Sequence, residues 1–389
     1  MKRLIVCALA FALGVAASAA QSLDDLNIQI HGYATQGFLY TTRNNIFTTN
    51  SSTGSPAWSE AVLNITAQPT PKLRIGVQGR YFLLGDLGNA ITLDWAAADY
   101  KADDRFGLRF GKVKTPSGLL NEIQDIDPSY TWSLLPQSIY PIESRNSLLS
   151  HYGGVVYGTV KLGQSAGKLE YRGWGGERSI GSGDGYFVSE RESGIVLPSG
   201  VSQVVYGAAL HWKMPLPGLM IGVSTAHTNK SSSPLIDTIP GFGTFNGTFV
   251  SSLVNQTQVF GRYEKEKFMV AGEYSRLPSH GAFQVPHVFS QPYNIDYRDW
   301  YGMASYKLTG KLTSGIYTSQ FFDRKSALGP ARYQKDWALS ARYDFSQFIY
   351  AKAEQHFMDG TIVNYDTTLN PGGLKSTTRL SILKIGVSF

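Results

Sequence analysis

The chain of 389 residues carries 35 Lys+Arg against 29 Asp+Glu, a net charge of +6, with 41 glycines, 22 tyrosines, 20 phenylalanines and one cysteine. A single cysteine excludes a disulfide scaffold, and the basic excess is scattered, not gathered into a block of the kind that binds nucleic acid. After the first twenty residues no run of 18 apolar residues recurs, which excludes a bundle of membrane-spanning helices.

Residues 1–20 read as a secretory leader. Lys2 and Arg3 form the charged start, Leu4 to Val15 the apolar run, and Ala17-Ser18-Ala19 or Ser18-Ala19-Ala20 the small-residue cleavage site. Cys7 falls inside this leader, so residues 21–389 hold no cysteine and a net charge near +4.

From there the chain alternates apolar with polar or glycine, the period-two signature of half-buried strands. The first strand is predicted over Asn27–Thr41, and a second over Ala61–Gln68 ends at the turn Pro69-Thr70-Pro71-Lys72. Leu73–Leu84 follows, with Leu73, Ile75, Val77, Tyr81 and Leu83 on one face and Arg74, Gln78 and Arg80 on the other. In the fourth strand Ile91, Leu93, Trp95 and Ala97 are expected to face outward and Thr92, Asp94, Ala96 and Ala98 inward. In the fifth, Phe106, Leu108 and Phe110 face outward and Arg109 inward.

The rhythm then stops. Lys112–Ser150 holds four prolines, the carboxylates Glu122, Asp125, Asp127 and Glu143, and the cations Lys112, Lys114 and Arg145. A structureless run of this length inside a compact domain marks a loop with a function. Alternation resumes at Tyr152–Leu162, Lys168–Gly176, Gln203–Met214 and Leu219–Thr228. It continues through Ser252–Tyr263, Phe268–Arg276, Trp300–Leu308, Leu312–Phe322, Trp337–Tyr343, Phe348–Phe357 and Thr378–Phe389. That makes sixteen strands, joined alternately by short turns and longer loops, the pattern of an outer-membrane barrel with aromatic girdles.

The stretches GDLGNAITLDWAAADY, GKVKTPSGLLNEIQDID, SLLPQSIYP and DWALSARYD, with a last strand ending on Phe389, resemble the sixteen-stranded Gram-negative porins, of the phosphate-selective (O/P-type) and general diffusion kinds. The resemblance implies a loop after the fifth strand that folds inward as the constriction, and a homotrimer.

No catalytic motif competes with this reading. The seven histidines are scattered, without an H-E-x-x-H pair, and there is no G-x-S-x-G elbow. Gly181–Gly185 is glycine-rich but lacks the lysine of a phosphate-binding loop. The chemistry-bearing arrangement is one of charge. Period-two facing puts Arg80, Arg109, Arg172, Lys352 and Lys384 near mid-strand on one arc of the inner wall, with the acids of the long loop opposite. The candidate pore residues are these five cations with Glu122, Asp125, Asp127, Glu143 and Arg145.

The sequence therefore predicts an all-β fold, a closed antiparallel transmembrane β-barrel of about sixteen strands over residues 21–389, with an inward-folded constriction loop over 112–150. The expected function is passive diffusion of small hydrophilic solutes through the outer membrane, with modest anion preference. No cofactor is implied, and the expected partners are outer-membrane lipids, small anionic solutes and sister copies. A channel specific for phosphate, a dicarboxylate or a sugar is the alternative within transport, with Tyr130, Trp132 and Tyr140 as stacking surfaces. A barrel lipase or protease, or a structural barrel, is the alternative outside it.

Overall fold

Alternating apolar and polar side chains are realised as strands whose exposed apolar residues share one surface. The computed structural model describes residues 26–88, 90–192, 194–252 and 254–389; the leader expected over 1–20 lies outside them. The described residues form nineteen strands. They are β1 (Gln29–Thr41), β2 (Ser55–Thr70), β3 (Leu73–Leu84), β4 (Ala90–Lys101), β5 (Gly107–Lys114), β6 (Ser150–Gly163), β7 (Gly167–Ile180), β8 (Ile195–Val196), β9 (Val201–Lys213) and β10 (Leu219–Thr228). They continue with β11 (Ser231–Ile239), β12 (Gly243–Ser251), β13 (Val254–Lys265), β14 (Phe268–Val285), β15 (Phe289–Lys307), β16 (Leu312–Phe322), β17 (Tyr333–Asp344), β18 (Ile349–Gly360) and β19 (Thr377–Ser388).

Sixteen of these strands make the wall. Each pairs antiparallel with its neighbours, and the ring closes where β19 meets β1, from Tyr33↔Ser388 to Thr41↔Leu380. Closure leaves the wall no free edge, so its backbone groups are satisfied without water. At the seam the Gly32 and Phe389 backbones exchange two hydrogen bonds, 3.1 and 3.0 Å. Short turns and both ends of the wall share one rim. In the β9–β10 turn Gly218 has φ +86°, and a Cβ there would come within 1.9 Å of the Glu264 carbonyl oxygen, so only glycine fits.

The outer surface carries the predicted Val77 and Phe110, together with Leu63, Val156, Val259, Ile316, Leu339 and Ile385, all exposed. Two parts of the reading are corrected. First, β4 contains a bulge: Gln78 pairs with Trp95 and Gly79 with Leu93, so Asp94 is an extra residue. A one-residue insertion reverses every facing beyond it. Trp95 and Ala97 therefore turn inward and Ala96 and Ala98 outward, and Asp99 joins the inner face opposite Arg74 and Arg109. Second, three strands lie beyond the wall. β11 pairs with β8 on one side and β12 on the other, β12 pairs with the far part of β14, and β14–β15 extends as one hairpin through 277–299, a segment read as loop. The long loop itself is shorter than expected at both ends, because β5 runs to Lys114 and β6 begins at Ser150. Lys112 is thus a strand residue, paired with the outward-facing Tyr152.

Candidate functional site

Residues 115–149 enter the barrel from the long-loop rim. The root is closed by Thr115 N–H donating to the Leu149 carbonyl at 2.9 Å, and Asn121 Nδ2 donates to the Thr115 carbonyl at 2.7 Å. Prolines interrupt any longer ladder, leaving 3-10 turns at Asp127–Ser129 and Ile142–Ser144 and a single helical turn, α1 (Arg145–Leu149). Irregular backbone inside a barrel needs other partners, and wall side chains supply them. The Glu354 carboxylate accepts from Ser133 N–H at 2.8 Å and Leu134 N–H at 3.0 Å. Ser224 Oγ accepts from Gly118 N–H at 2.9 Å. Lys352 Nζ donates to the Asp127 and Trp132 carbonyls at 2.8 and 2.9 Å.

Apolar contacts fix the same loop. Leu120, Trp132, Leu135, Ile139 and Tyr140 pack on Ala271, Tyr301, Met303, Tyr317 and Ala338, inward residues of β14–β17. Tyr140 donates to Glu273 at 2.6 Å and its ring lies 6.2 Å from that of Tyr301. Burial, reinforced by the Glu273 charge, pushes the Tyr140 phenol well above its ordinary value, so it stays a donor. The Trp132 ring lies 6.3 Å from Tyr317 and against Gly315, where a Cβ would be 3.1 Å from the indole. The three aromatics weighed as sugar-stacking surfaces are thus packed on the wall, with Tyr130 carrying the Lys352 ammonium 4.6 Å from its ring.

The charged residues fall into two groups. On the β18–β19–β1–β4 flank they are buried and paired. Asp127 takes Lys384 Nζ at 2.6 Å, Lys352 Nζ at 3.0 Å and the Tyr350 hydroxyl at 2.7 Å. Burial by itself would raise the Asp127 carboxyl, but the two ammonium groups and their hydrogen bonds outweigh it and hold the carboxyl well below the usual range. Arg80 pairs with Glu60 at 2.6 Å, and Arg145 forks onto Asp94 with two contacts of 2.9 Å. Asp125 takes Lys114 at 2.6 Å and Gln78 Nε2 at 2.7 Å, and its backbone carbonyl accepts from Tyr33. Glu143 lies against Gly185, the first residue of α2 (Gly185–Glu192) in the next long loop.

On the β4–β9 flank the charges keep contact with solvent. Arg109, 32% exposed, joins Asp99 at 2.9 Å and the loop's Glu122 at 3.0 Å. Arg172, 20% exposed, reaches Glu122 at 3.4 Å and Glu170 at 3.5 Å, and donates to His211 Nδ1 at 2.9 Å. Lys213 closes the row on Glu170. Among the described residues Arg178, on the same inner face of β7, has no carboxylate within ion-pair distance, and its Nε is buried without a partner. Below the loop, at the short-turn rim, a cavity of about 340 Å³ is lined by Ile123, Met269, Met303, Arg262, Lys307 and Arg342, among others.

The loop acids thus do not face the cation arc across an opening. Asp127 and Glu122 bond directly to four of its five members, Lys352, Lys384, Arg109 and Arg172. Sequence reasoning missed Asp99, because the bulge is silent in the pattern. It also missed His356, whose Nδ1 and Nε2 each lie 2.8 Å from a carboxylate, Asp336 and Glu354. The inward facing of all three was legible, but their adjacency was not.

No family model matches the chain, and no curated protein does. Solved structures do. The Salmonella typhi OmpF complex with daunomycin superposes with a TM-score of 0.60 at 13% identity, covering 95% of this chain and 99% of that one. OmpT, an outer-membrane protein of Vibrio cholerae, superposes at 0.56 and 12% identity, with the same coverage. The anion-selective porin from Comamonas acidovorans superposes at 0.53 and 10%, covering 93% and 99%. The fold is that of the sixteen-stranded porins, a transmembrane β-barrel of the bacterial outer-membrane type.

Proposed function

We propose that the protein is a passive, non-catalytic channel for small hydrophilic solutes, with the loop at 115–149 as its constriction and a modest preference for anions. It acts as a homotrimer among outer-membrane lipids. Solutes pass beside the half-exposed charges of the β4–β9 flank, since the opposite flank is filled by buried ion pairs and by the cluster of Leu39, Phe47, Trp58, Leu134 and Leu380. The observation that carries the reading is the division between dry and wet charge. The half-exposed row sets Arg109, Arg172 and Lys213 against Asp99, Glu122 and Glu170, an even count, and among the described residues Arg178 has no carboxylate within ion-pair distance. One fixed cation in a passage with low-dielectric walls concentrates anions. At about 0.1 M salt its field reaches about 10 Å, and at about 1 M about 3 Å.

The test is a reversal potential across a dilute KCl gradient in a planar bilayer. The wild-type channel gives an anion-selective sign that fades at high salt, and Arg178→Gln moves it toward zero. A wild-type channel that prefers potassium refutes the charge assignment.

A further inference from the structure

The cavity of about 340 Å³ below the loop lies off the passage proposed for solutes, against β13–β17. Its roof is the loop itself, held down by the packing of Trp132, Leu135 and Tyr140 on the wall. On the β17 side Arg342 ties that roof in place by donating to the Pro128 and Tyr130 carbonyls. Register orders the wall below it. Arg262, Ala271 and Met303 share one rung, Met269 and Ser305 lie two residues nearer the short turns, and Lys307, Thr313 and Arg342 share a rung nearer still. Apolar side chains thus gather in the middle, under Leu120 and Ile123 of the loop, with cations on the flanks and at the mouth.

Loop packing does not account for this lining, because Ile123 and Met269 stay half-buried at the edge of the packed cluster, with open volume beside them. A vestibule that only carried water would be lined with polar groups. An apolar cavity with a few convergent polar groups is the form of a small-molecule site, and methionine adapts its shape to what it covers. The charges at the mouth are of unequal availability. Arg342 is held by Asp344 at 2.9 Å, and Arg262 only loosely by Glu264 at 3.8 Å. Among the described residues Lys307, exposed at the mouth, has no carboxylate within ion-pair distance. A cavity of about 150 Å³ holds a benzene ring, so this one has room for an apolar body of about twice that size.

We propose that the cavity binds an amphipathic monocarboxylate from the periplasmic side, its apolar body between Ile123 and Met269 and its carboxylate on Lys307 and Arg262. Binding is read without current, so this site and the conduction reading fail separately.

The test uses the full chain, exported and reconstituted in lipid nanodiscs, and reads octanoate binding by titration calorimetry with empty nanodiscs subtracted. Octanoate binds saturably at one site per chain. Acetate, which lacks the body, and octanol, which lacks the charge, bind about tenfold more weakly. Lys307→Gln weakens octanoate about fivefold. Met269→Gln, which keeps the volume and adds a polar end, also weakens it. Ser305→Trp fills the cavity and abolishes binding, while Lys311→Gln, on the β15–β16 turn outside the cavity, leaves the titration unchanged. Heat-shifted gel mobility checks that each variant is a folded barrel. No saturable octanoate binding, equal binding of octanol or of acetate, or an octanoate titration that folded Lys307→Gln and Met269→Gln both leave unaltered overturns the proposal.

Discussion

Asp127→Asn would test what holds the loop against the wall. The native carboxylate pairs with two buried ammonium groups, Lys352 and Lys384, at 3.0 and 2.6 Å, and accepts from the Tyr350 hydroxyl. Removing one member of a buried ionic cluster leaves uncompensated charge and costs about 3–5 kcal/mol. Asparagine keeps one acceptor, so the lower end, about 3 kcal/mol, applies, which is roughly a hundredfold in the ratio of undocked to docked loop at this flank. The Glu354 and Glu273 anchors remain, so the loop loosens at Asp127–Trp132 without leaving the barrel. Single-channel recording should show added open-channel noise and larger substates, with a lower heat-mobility midpoint. The pH dependence has a definite sign. A carboxyl held below its unfolded value of about 3.9 stabilises fully above that value, and the stabilisation is lost as pH falls through the folded value. The folded value lies well below the usual range, so wild-type current stays quiet at about pH 4–5 and becomes noisy only in stronger acid. An Asp127→Asn channel with wild-type noise and midpoint, or a wild-type channel that loosens at about pH 5, would refute the reasoning.

Deleting Gly118–Tyr140 should leave a folded barrel, since no wall ladder uses these residues, and should raise unit conductance several-fold. It also bares Lys352 and Lys384 to the lumen, so reversal potentials should become more strongly anion-selective; an unchanged sign and size would show that those lysines stay covered. Gly315→Leu drives a side chain into the Trp132 indole, which would lie only 3.1 Å from a Cβ at that position. Overpacking of this kind costs about 1–3 kcal/mol, and a lower heat-mobility midpoint with intact barrel circular dichroism is expected.

The sequence by itself determined the barrel, the sixteen wall strands and the entry of the long loop after the fifth. Those features depend on local rules: a side-chain period of two against lipid, turn residues at one rim, and prolines that prevent the 115–149 segment from continuing as a strand. Facing was legible wherever the strand is regular, as for Arg80, Arg109, Arg172, Lys352 and Lys384. It failed in β4, where one bulged residue at Asp94 reverses the rest of the strand without changing its composition. The tertiary structure alone decided which inward charges meet. Asp127 and Lys384 are 257 residues apart, and only ring closure and the path of the loop bring them to 2.6 Å. The same holds for Arg145 with Asp94 and Glu354 with the Ser133 and Leu134 backbone. Period and composition give each charge a side of the wall; whether it is spent on a buried partner or left to the passage depends on contacts between strands and loop that no local pattern encodes.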